Sequence, residues 1–365
     1  AARVAATSFA AALCASCGLL EVGPASEITT TEPISAQVRV VELGPLAPER
    51  VLFPSEAQIS EFLPGDRVRL EVVVVDPSGL PLEDAALDSV WLHCGAGPCQ
   101  GGSENIVFAD PVYDQPCDEL DDWTTDSRCR LGEGRGGIEF TTPALGEGTL
   151  TKGDFAVYAV VAWNGQRAED CWSTRRVRGV IAPDCGFVRF DGSVGPYWTM
   201  LVHAESEGLS TPFATTQLPA AVYAQQANRA PVVDHVELAI NGEAQAPVEV
   251  AASSFVGPVS VEPGDVLDLT VVADPNEQLA QLYFNPWTPS ADAFTVVFET
   301  LWLRVSTAGA LTFDRDRIEG PALLAMDSIE LQVHDAAGPG TARVVLVTYD
   351  MRGAEDVLWL ELEIQ

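Results

Sequence analysis

Apolar and polar residues along this chain either alternate or run apolar outright over short stretches, and helical spacing is scarce. Gln37 to Leu43 alternates. Val68 to Val75 is apolar throughout its second half, the pattern of a strand covered on both faces. Val90-Trp91-Leu92 reads as a short strand and Phe155 to Trp163 as a long one. The long run meets Asn164-Gly165, a dipeptide that accepts the positive φ angles of a tight hairpin turn, yet the next strand pattern comes only at Tyr197 to Ala204. Ser206 to Asn228 has no sustained pattern and reads as a linker. Beyond it, strands are expected at Val233–Ile240, Val266–Ala273, Gln281–Phe284, Thr295–Val305, Ile329–Val333, Ala342–Tyr349 and Val357–Ile364. Asp350-Met351-Arg352-Gly353 reads as the hairpin turn between the last two, and Glu319 to Met326 as a single helical turn. Many short strands separated by turn signals predict an all-β chain of sandwich type.

A repeat supports two modules. Pro64-Gly65-Asp66 precedes an apolar β run that stops at Asp76-Pro77, and Pro263-Gly264-Asp265 precedes another that stops at Asp274-Pro275. The expected organisation is a first sandwich over residues 36–205, a linker over 206–228 and a second sandwich over 229–365. Two insertions, 95–137 and 167–196, interrupt the first sandwich. One carries the acidic run Asp110, Asp114, Asp118, Glu119, Asp121, Asp122 and Asp126, and the other carries Arg167, Arg175, Arg176, Arg178 and Arg189. Either these loops pair with each other or they form the working surface. Gly132-Glu133-Gly134-Arg135-Gly136-Gly137 reads as a flexible loop.

Composition narrows the function. The 365 residues leave room for two domains, and 47% hydrophobic content is enough to build cores. A formal charge of −33 argues against nucleic acid, which is held through basic patches, and against charge-driven docking on anionic lipid. Lys152 is the only lysine.

Ala1 to Leu13 is small and apolar, and Leu13-Cys14-Ala15-Ser16-Cys17 follows. This stretch resembles a bacterial lipoprotein signal, with residues 1–17 as the signal-like segment and Cys17 as the acylated residue. The resemblance implies an outer-membrane lipid anchor, with residues 18–35, rich in Ser, Thr, Pro and Glu, as a tether. Cleavage before Cys17 leaves six other cysteines: Cys94, Cys99, Cys117, Cys129, Cys171 and Cys185. An even set in an exported chain suggests three disulfides, and of the fifteen connectivities possible for six cysteines the local pairs 94–99, 117–129 and 171–185 are favoured. Zinc fits poorly, because these six include no Cys-x2-Cys pair and His93 is the only nearby imidazole.

Asn228-Arg229-Ala230-Pro231-Val232, then Asp274-Pro275-Asn276 with Leu279, Tyr283 and Trp287, then Pro339-Gly340-Thr341 to Val347 with Asp350 and Gly353, resemble bacterial PKD-like and cadherin-like repeats. The resemblance covers about half of the second module and implies two tandem immunoglobulin-like β-sandwich domains of the adhesive, binding or spacer kind. The fold alone names no ligand.

The four histidines, His93, His203, His235 and His334, are scattered, and no nucleophile elbow, zinc-protease helix or phosphate-cradling loop is present, so no enzyme is expected. Calcium is the one cofactor the sequence suggests, through Asp110, Asp114, Asp118, Asp121 and Asp122 and separately through Asp314 and Asp316, with a solvated acidic loop as the alternative; Asp274 and Asn276 resemble the interdomain ligands of cadherin-like repeats. Tyr113, Trp123, Trp172, Arg175, Arg176 and Tyr197, with Trp198 and Trp287 beside them, are candidates for a contact face toward protein or carbohydrate. The expected role is an exported, non-catalytic binding or scaffolding protein at the bacterial outer-membrane surface. A self-assembling subunit of an extracellular filament or layer is the first alternative, and a secreted hydrolase with an acidic site is the second.

Overall fold

Alternating apolar residues on paired strands need a second apolar layer to face, and both halves of the chain meet that need by stacking sheets. The computed structural model describes residues 27–44, 62, 65–95, 111–124, 127–143, 154–178, 180–193, 233–250, 254–273, 282–284, 296–298, 301–314, 317–320, 328–350 and 355–365. The first half contains β1 (Glu32–Glu42), β2 (Arg67–Val75), β3 (Asp88–His93), β4 (Cys129–Gly134), β5 (Gly137–Thr141), β6 (Asp154–Ala162) and β7 (Cys185–Ser193), with a helix α1 (Ala168–Arg178) between β6 and β7. Sheet β1-β2-β5 faces sheet β4-β3-β6-β7 across a core that includes Ala36, Val38, Val68, Leu70, Trp91, Val157, Val161 and Phe190.

The second half contains β8 (Val233–Ile240), β9 (Glu243–Ala244), β10 (Val248–Glu249), β11 (Phe255–Val261), β12 (Val266–Ala273), β13 (Leu282–Phe284), β14 (Val296–Phe298), β15 (Leu301–Ala308), β16 (Leu311–Phe313), β17 (Arg317–Gly320), β18 (Ile329–Val333), β19 (Gly340–Asp350) and β20 (Glu355–Ile364). Sheet β10-β8-β12-β18-β16 stacks on β11-β20-β19-β15-β17, and β13 pairs with β14. Leu267, Leu269, Ile329, Leu331, Val344, Leu346, Leu360 and Leu362 are buried between the two layers. The fold is all-β, as the alternation predicts, in two immunoglobulin-like sandwiches.

The repeated Pro-Gly-Asp turn does the same job in both halves. The Gly65 N–H donates to the Thr142 carbonyl (3.1 Å) and Thr142 N–H returns to the Asp66 carbonyl (2.8 Å). In the second half Gly264 N–H donates to Val333 (3.1 Å) and Val333 N–H returns to Asp265 (2.9 Å). Each turn clips the start of one strand, β2 or β12, to the end of its neighbour, β5 or β18. Both glycines have positive φ, 83° and 88°, where a side chain is strained. The expected stop at Asp76 is an Asx turn, in which its Oδ1 accepts from Ser78 N–H (2.8 Å) and Leu80 N–H (3.1 Å).

Several expectations change. The glycine run 132–137 is the corner where β4 leaves one sheet and β5 joins the other, with Gly134 so close to Gly137 that a Cβ there would sit 1.9 Å from its carbonyl oxygen. The return strand of β6 is β7, inside the expected insertion 167–196 and paired antiparallel from Ala162↔Cys185 to Asp154↔Ser193. Tyr197 to Ala204 lies outside the described residues. Glu319 and Gly320, placed in a helical turn by sequence, belong to β17.

The segment 18–35, expected as a tether, is packed structure from Glu27 onward. Ile28 N–H donates to the Thr307 carbonyl of β15 (2.7 Å), and β1 begins at Glu32, four residues ahead of the expected start of the first sandwich. The β1–β2 register slips between Pro33 and Ser35, a bulge that turns Ile34 and Ser35 toward the second sandwich while Ala36 and Val38 face the first core. Ile28, Ile34 and Val75 are buried there with Ala308, Val345, Val347, Val357 and Trp359 on the outer face of the β15–β19–β20 sheet. A polar rim borders this seam: Arg343 donates to the Ser78 carbonyl (3.0 Å) and Ser35 Oγ donates to Glu355 (2.5 Å).

Candidate functional site

The β4-β3-β6-β7 sheet is apolar on its outer face as well. Val90, Leu92, Ala156, Val160 and Ala162 point away from the first core and need cover. The two insertions supply it, through helix α1 and a 3-10 turn at Pro111–Asp114. The helix starts where Ala168 N–H donates to Asp88 Oδ2 of β3 (2.8 Å), so a residue eighty positions upstream satisfies one of its free amides. Glu169 and Asp170 occupy the first turn and Arg175, Arg176 and Arg178 the last, the charge order that the helix dipole favours. Ala168, Cys171 and Trp172, at i, i+3 and i+4, form its buried stripe.

Cross-links fasten this cap. Cys171 pairs with Cys185 at the start of β7, and Cys117 pairs with Cys129 at the start of β4. Cys94 is also disulfide-bonded; Cys99, its expected partner, lies outside the described residues. The acidic and basic insertions do pair. Arg176 forks onto Asp114 (2.6 and 3.0 Å) and holds that carboxyl below its usual range, chiefly through this hydrogen bond. Arg130 reaches Glu169 (2.6 Å) and Glu133 (2.5 Å), and the guanidiniums of Arg130 and Arg176 lie over the Trp172 ring at 5.1 and 5.7 Å.

The structure divides the predicted contact residues. Tyr113 and Trp172, 1% and 2% exposed, are removed from the expected contact face, because they fill the space between cap and sheet. Arg128 lies over Tyr113 at 5.5 Å. Trp123 is half-buried against His93 and Phe140. Arg175 is half-buried and lies over Phe187 at 5.8 Å, and Arg176 is half-buried on Asp114. Tyr197, Trp198 and Trp287 lie outside the described residues, as do Asp110, Asp126, Asp274, Asn276, Asp316 and Cys17. The exposed apolar residues of the cap went unnoticed in the sequence: Val177 is 81% exposed, Val180 53% and Ile181 56%, with exposed Arg178 among them. Burying apolar side chains at 177, 180 and 181 against a partner is favourable, so three in five residues beside arginines is a signal that the sequence did carry.

Among the calcium candidates, Asp114 is engaged by Arg176, and Asp118, Asp121 and Asp122 are exposed. No three His, Cys, Asp or Glu side chains converge to hold a metal ion among the described residues. Burial pushes the His93 imidazole down to about 3 against a backbone hydrogen bond at Ser127, so it is neutral at physiological pH. His235 goes the other way, raised chiefly by its hydrogen bond to Asp234 (2.7 Å). No helix among the described residues is long and apolar enough to cross a membrane.

No protein-family model matches the sequence, and a search of curated proteins found no match. Among solved structures, the chain is similar to alpha-2-macroglobulin of E. coli in its native conformation, at 10% identity and TM-score 0.20 over 84% of this chain and 16% of that one. It is similar to a type I cohesin–dockerin complex from Clostridium thermocellum, at 11% identity and TM-score 0.17 over 36% of this chain and 99% of that one. A biofilm-associated protein BSP domain gives 8% identity and TM-score 0.21 over 93% of this chain and 60% of that one. The chain thus spans about a sixth of the macroglobulin. At these TM-scores the likenesses carry no argument about function.

Proposed function

We propose that this chain is an exported surface-binding protein without chemistry of its own, and that the disulfide-tied cap is its contact face. One observation carries the reading: a cap held by cross-links and ion pairs exposes Val177, Val180 and Ile181 beside Arg178, on a chain of net charge −33. Rigid, partly apolar loops on a sandwich are suited to recognition, because little entropy is lost when they dock. Exposed Arg178 beside these apolar side chains favours an acidic protein surface over a neutral glycan. The cross-links favour an oxidising compartment, hence the cell exterior or outer-membrane surface. Acylation at Cys17 would keep the protein there, and the mechanism is surface complementarity.

The test titrates wild-type protein and a Val177→Ser, Arg178→Ser, Ile181→Ser variant onto intact cells of the producing strain that lack their own copy. Saturable binding by the wild type, lost in a variant of unchanged unfolding midpoint, is the expected result. Equal binding by both moves the contact face elsewhere, and no saturable binding by either overturns the surface-binding reading.

A further inference from the structure

The seam between the sandwiches contains a buried ionisable group that the cap does not use. Glu355 opens β20 and is 4% exposed. Its outward neighbours on the same sheet are Val357 and Trp359, both in the seam cluster. A carboxylate in such a place is costly unless it is neutralised by a proton or paired.

Among the described residues its surroundings do not complete a pair. From β1, Ser35 Oγ donates to Glu355 Oε2 (2.5 Å) and the Ala36 N–H also donates to it, while Glu32 brings a second carboxyl. From β15, Arg304 is the nearby cation among the described residues, but its Nη2 donates to the Ile34 carbonyl. From β19, Tyr349 lies in register beside Glu355. Asp356 follows on β20, and its Oδ1 accepts the Val357 N–H (2.9 Å). Among the described residues, one guanidinium, Arg304, partly spent on a carbonyl, acts on two carboxyls, Glu32 and Glu355. Burial pushes Glu355 up to about 7, against the opposing pull of Arg304, Ser35 and Ala36. Glu32 is raised as well, by burial, which outweighs the lowering pull of Arg304.

We propose that this seam is a proton-operated joint, closed on the second sandwich while Glu355 holds its proton and loosened when Glu355 ionises. The sign follows from linkage. The closed joint binds a proton that an exposed glutamate, with its ordinary value of 4.5, would release. Closure is therefore fully supported below about 4.5, and this support is lost as pH rises through about 7. The closed–open equilibrium then changes on the order of a hundredfold across that window. The opening element is the Glu27–Ser35 segment with the β1–β2 edge, and both cores stay folded. Such a joint would let an exported protein hold its two sandwiches rigidly in acid and swing them at neutral to alkaline pH. The inference stands on the seam alone, independently of the cap's role.

Hydrogen exchange read by peptide, corrected for the intrinsic pH dependence of exchange, tests it on the full chain. The Ile28 amide, bonded to the Thr307 carbonyl, reports the seam, and amides of β6 and β12 report the cores. Wild-type protection at the seam is expected to fall as pH rises through about 7 while both cores hold. Glu355→Gln keeps the shape without the charge and should hold the seam closed at every pH. Ser35→Ala removes a donor to the ionised form and should move the midpoint upward. Seam protection in the wild type that is flat with pH, or a Glu355→Gln protein that keeps the wild-type midpoint, overturns the proposal. Should Glu355→Gln also lose protection in β12, it has unfolded, and Ser35→Ala decides: an unmoved midpoint refutes the joint.

Discussion

Removing the Cys171–Cys185 cross-link tests how the cap is held. The perturbation is Cys171→Ala with Cys185→Ala, which avoids burying new hydroxyls where the native residues are 0% and 7% exposed. The bond joins residues 14 apart in sequence, and closing a loop of that size in the denatured chain is worth about 3 kcal/mol in the chain-entropy account. The loss should fall on one sandwich only. The loop links α1 to β7, and β7 is zipped along β6 in the first core. Urea titration with peptide-resolved hydrogen exchange separates the two, with β6 amides for the first sandwich and β12 amides for the second. The β6 transition should drop by about 3 kcal/mol and the β12 transition should not move. A drop in β6 under about 1 kcal/mol would mean that Trp172 packing and the Arg176–Asp114 fork hold the cap without the cross-link. An equal drop in β12 would refute the separation of the two cores.

Trp91→Ala, at a fully buried ring whose Nε1 donates to Ser89 Oγ, should cost the first sandwich about 3–5 kcal/mol in the same titration. The two Pro-Gly-Asp turns should respond unequally. Asp66 is buried and its Oδ1 accepts the Gly44 N–H (2.6 Å), so Asp66→Ala leaves that amide without its acceptor and should cost about 1–3 kcal/mol; Asp265→Ala, whose bonds to Glu262 N–H and Asn241 are exposed, should cost under about 1 kcal/mol by denaturant melt. Burial raises Asp356 to about 6, so its folded form holds a proton that the unfolded chain releases above 3.8, and stability falls as pH rises between those values. Asp356→Asn should accordingly match the wild type near pH 3.5 and exceed it by about 1–3 kcal/mol near pH 8, seen as a rising gap between thermal midpoints.

Strand positions were legible because a two-residue period survives wherever one face is buried, and β8, β12 and β18 lie where the alternation puts them. The local disulfide pairs 117–129 and 171–185 followed from short polar spacers. Helix α1 was not legible from apolar spacing, since only Ala168, Cys171 and Trp172 of its eleven residues are buried and a cysteine is easily discounted as a hydrophobe. Its charge order, Glu169-Asp170 at the start and arginines at the end, is the signal that would have found it. The contact face misled for a related reason. Aromatic residues in polar surroundings look exposed, yet Tyr113 and Trp172 are buried because the sheet beneath the cap is apolar on both sides. The seam had its own unread sign. Val344-Val345-Leu346-Val347 in β19 and Val357-Leu358-Trp359-Leu360 in β20 are apolar at successive positions, the mark of strands covered on both faces. What covers the outer face, Ile28 and Ile34, sits in a stretch whose Ser, Thr and Pro content reads as unstructured.

The bond from Ile28 to Thr307, with Ser35 on Glu355 beside it, also decides how the molecule carries a mechanical load. A force applied between Glu27 and Gln365 enters and leaves through the β15–β20 sheet and bypasses the whole first sandwich, although that sandwich lies between the two points in sequence. The first event expected under tension is rupture of the seam, before any core strand peels. Single-molecule pulling from residues 27 and 365 should therefore show a small, readily reversed extension ahead of the two unfolding steps, a mechanical fuse made from a stretch of chain that looks like a leash.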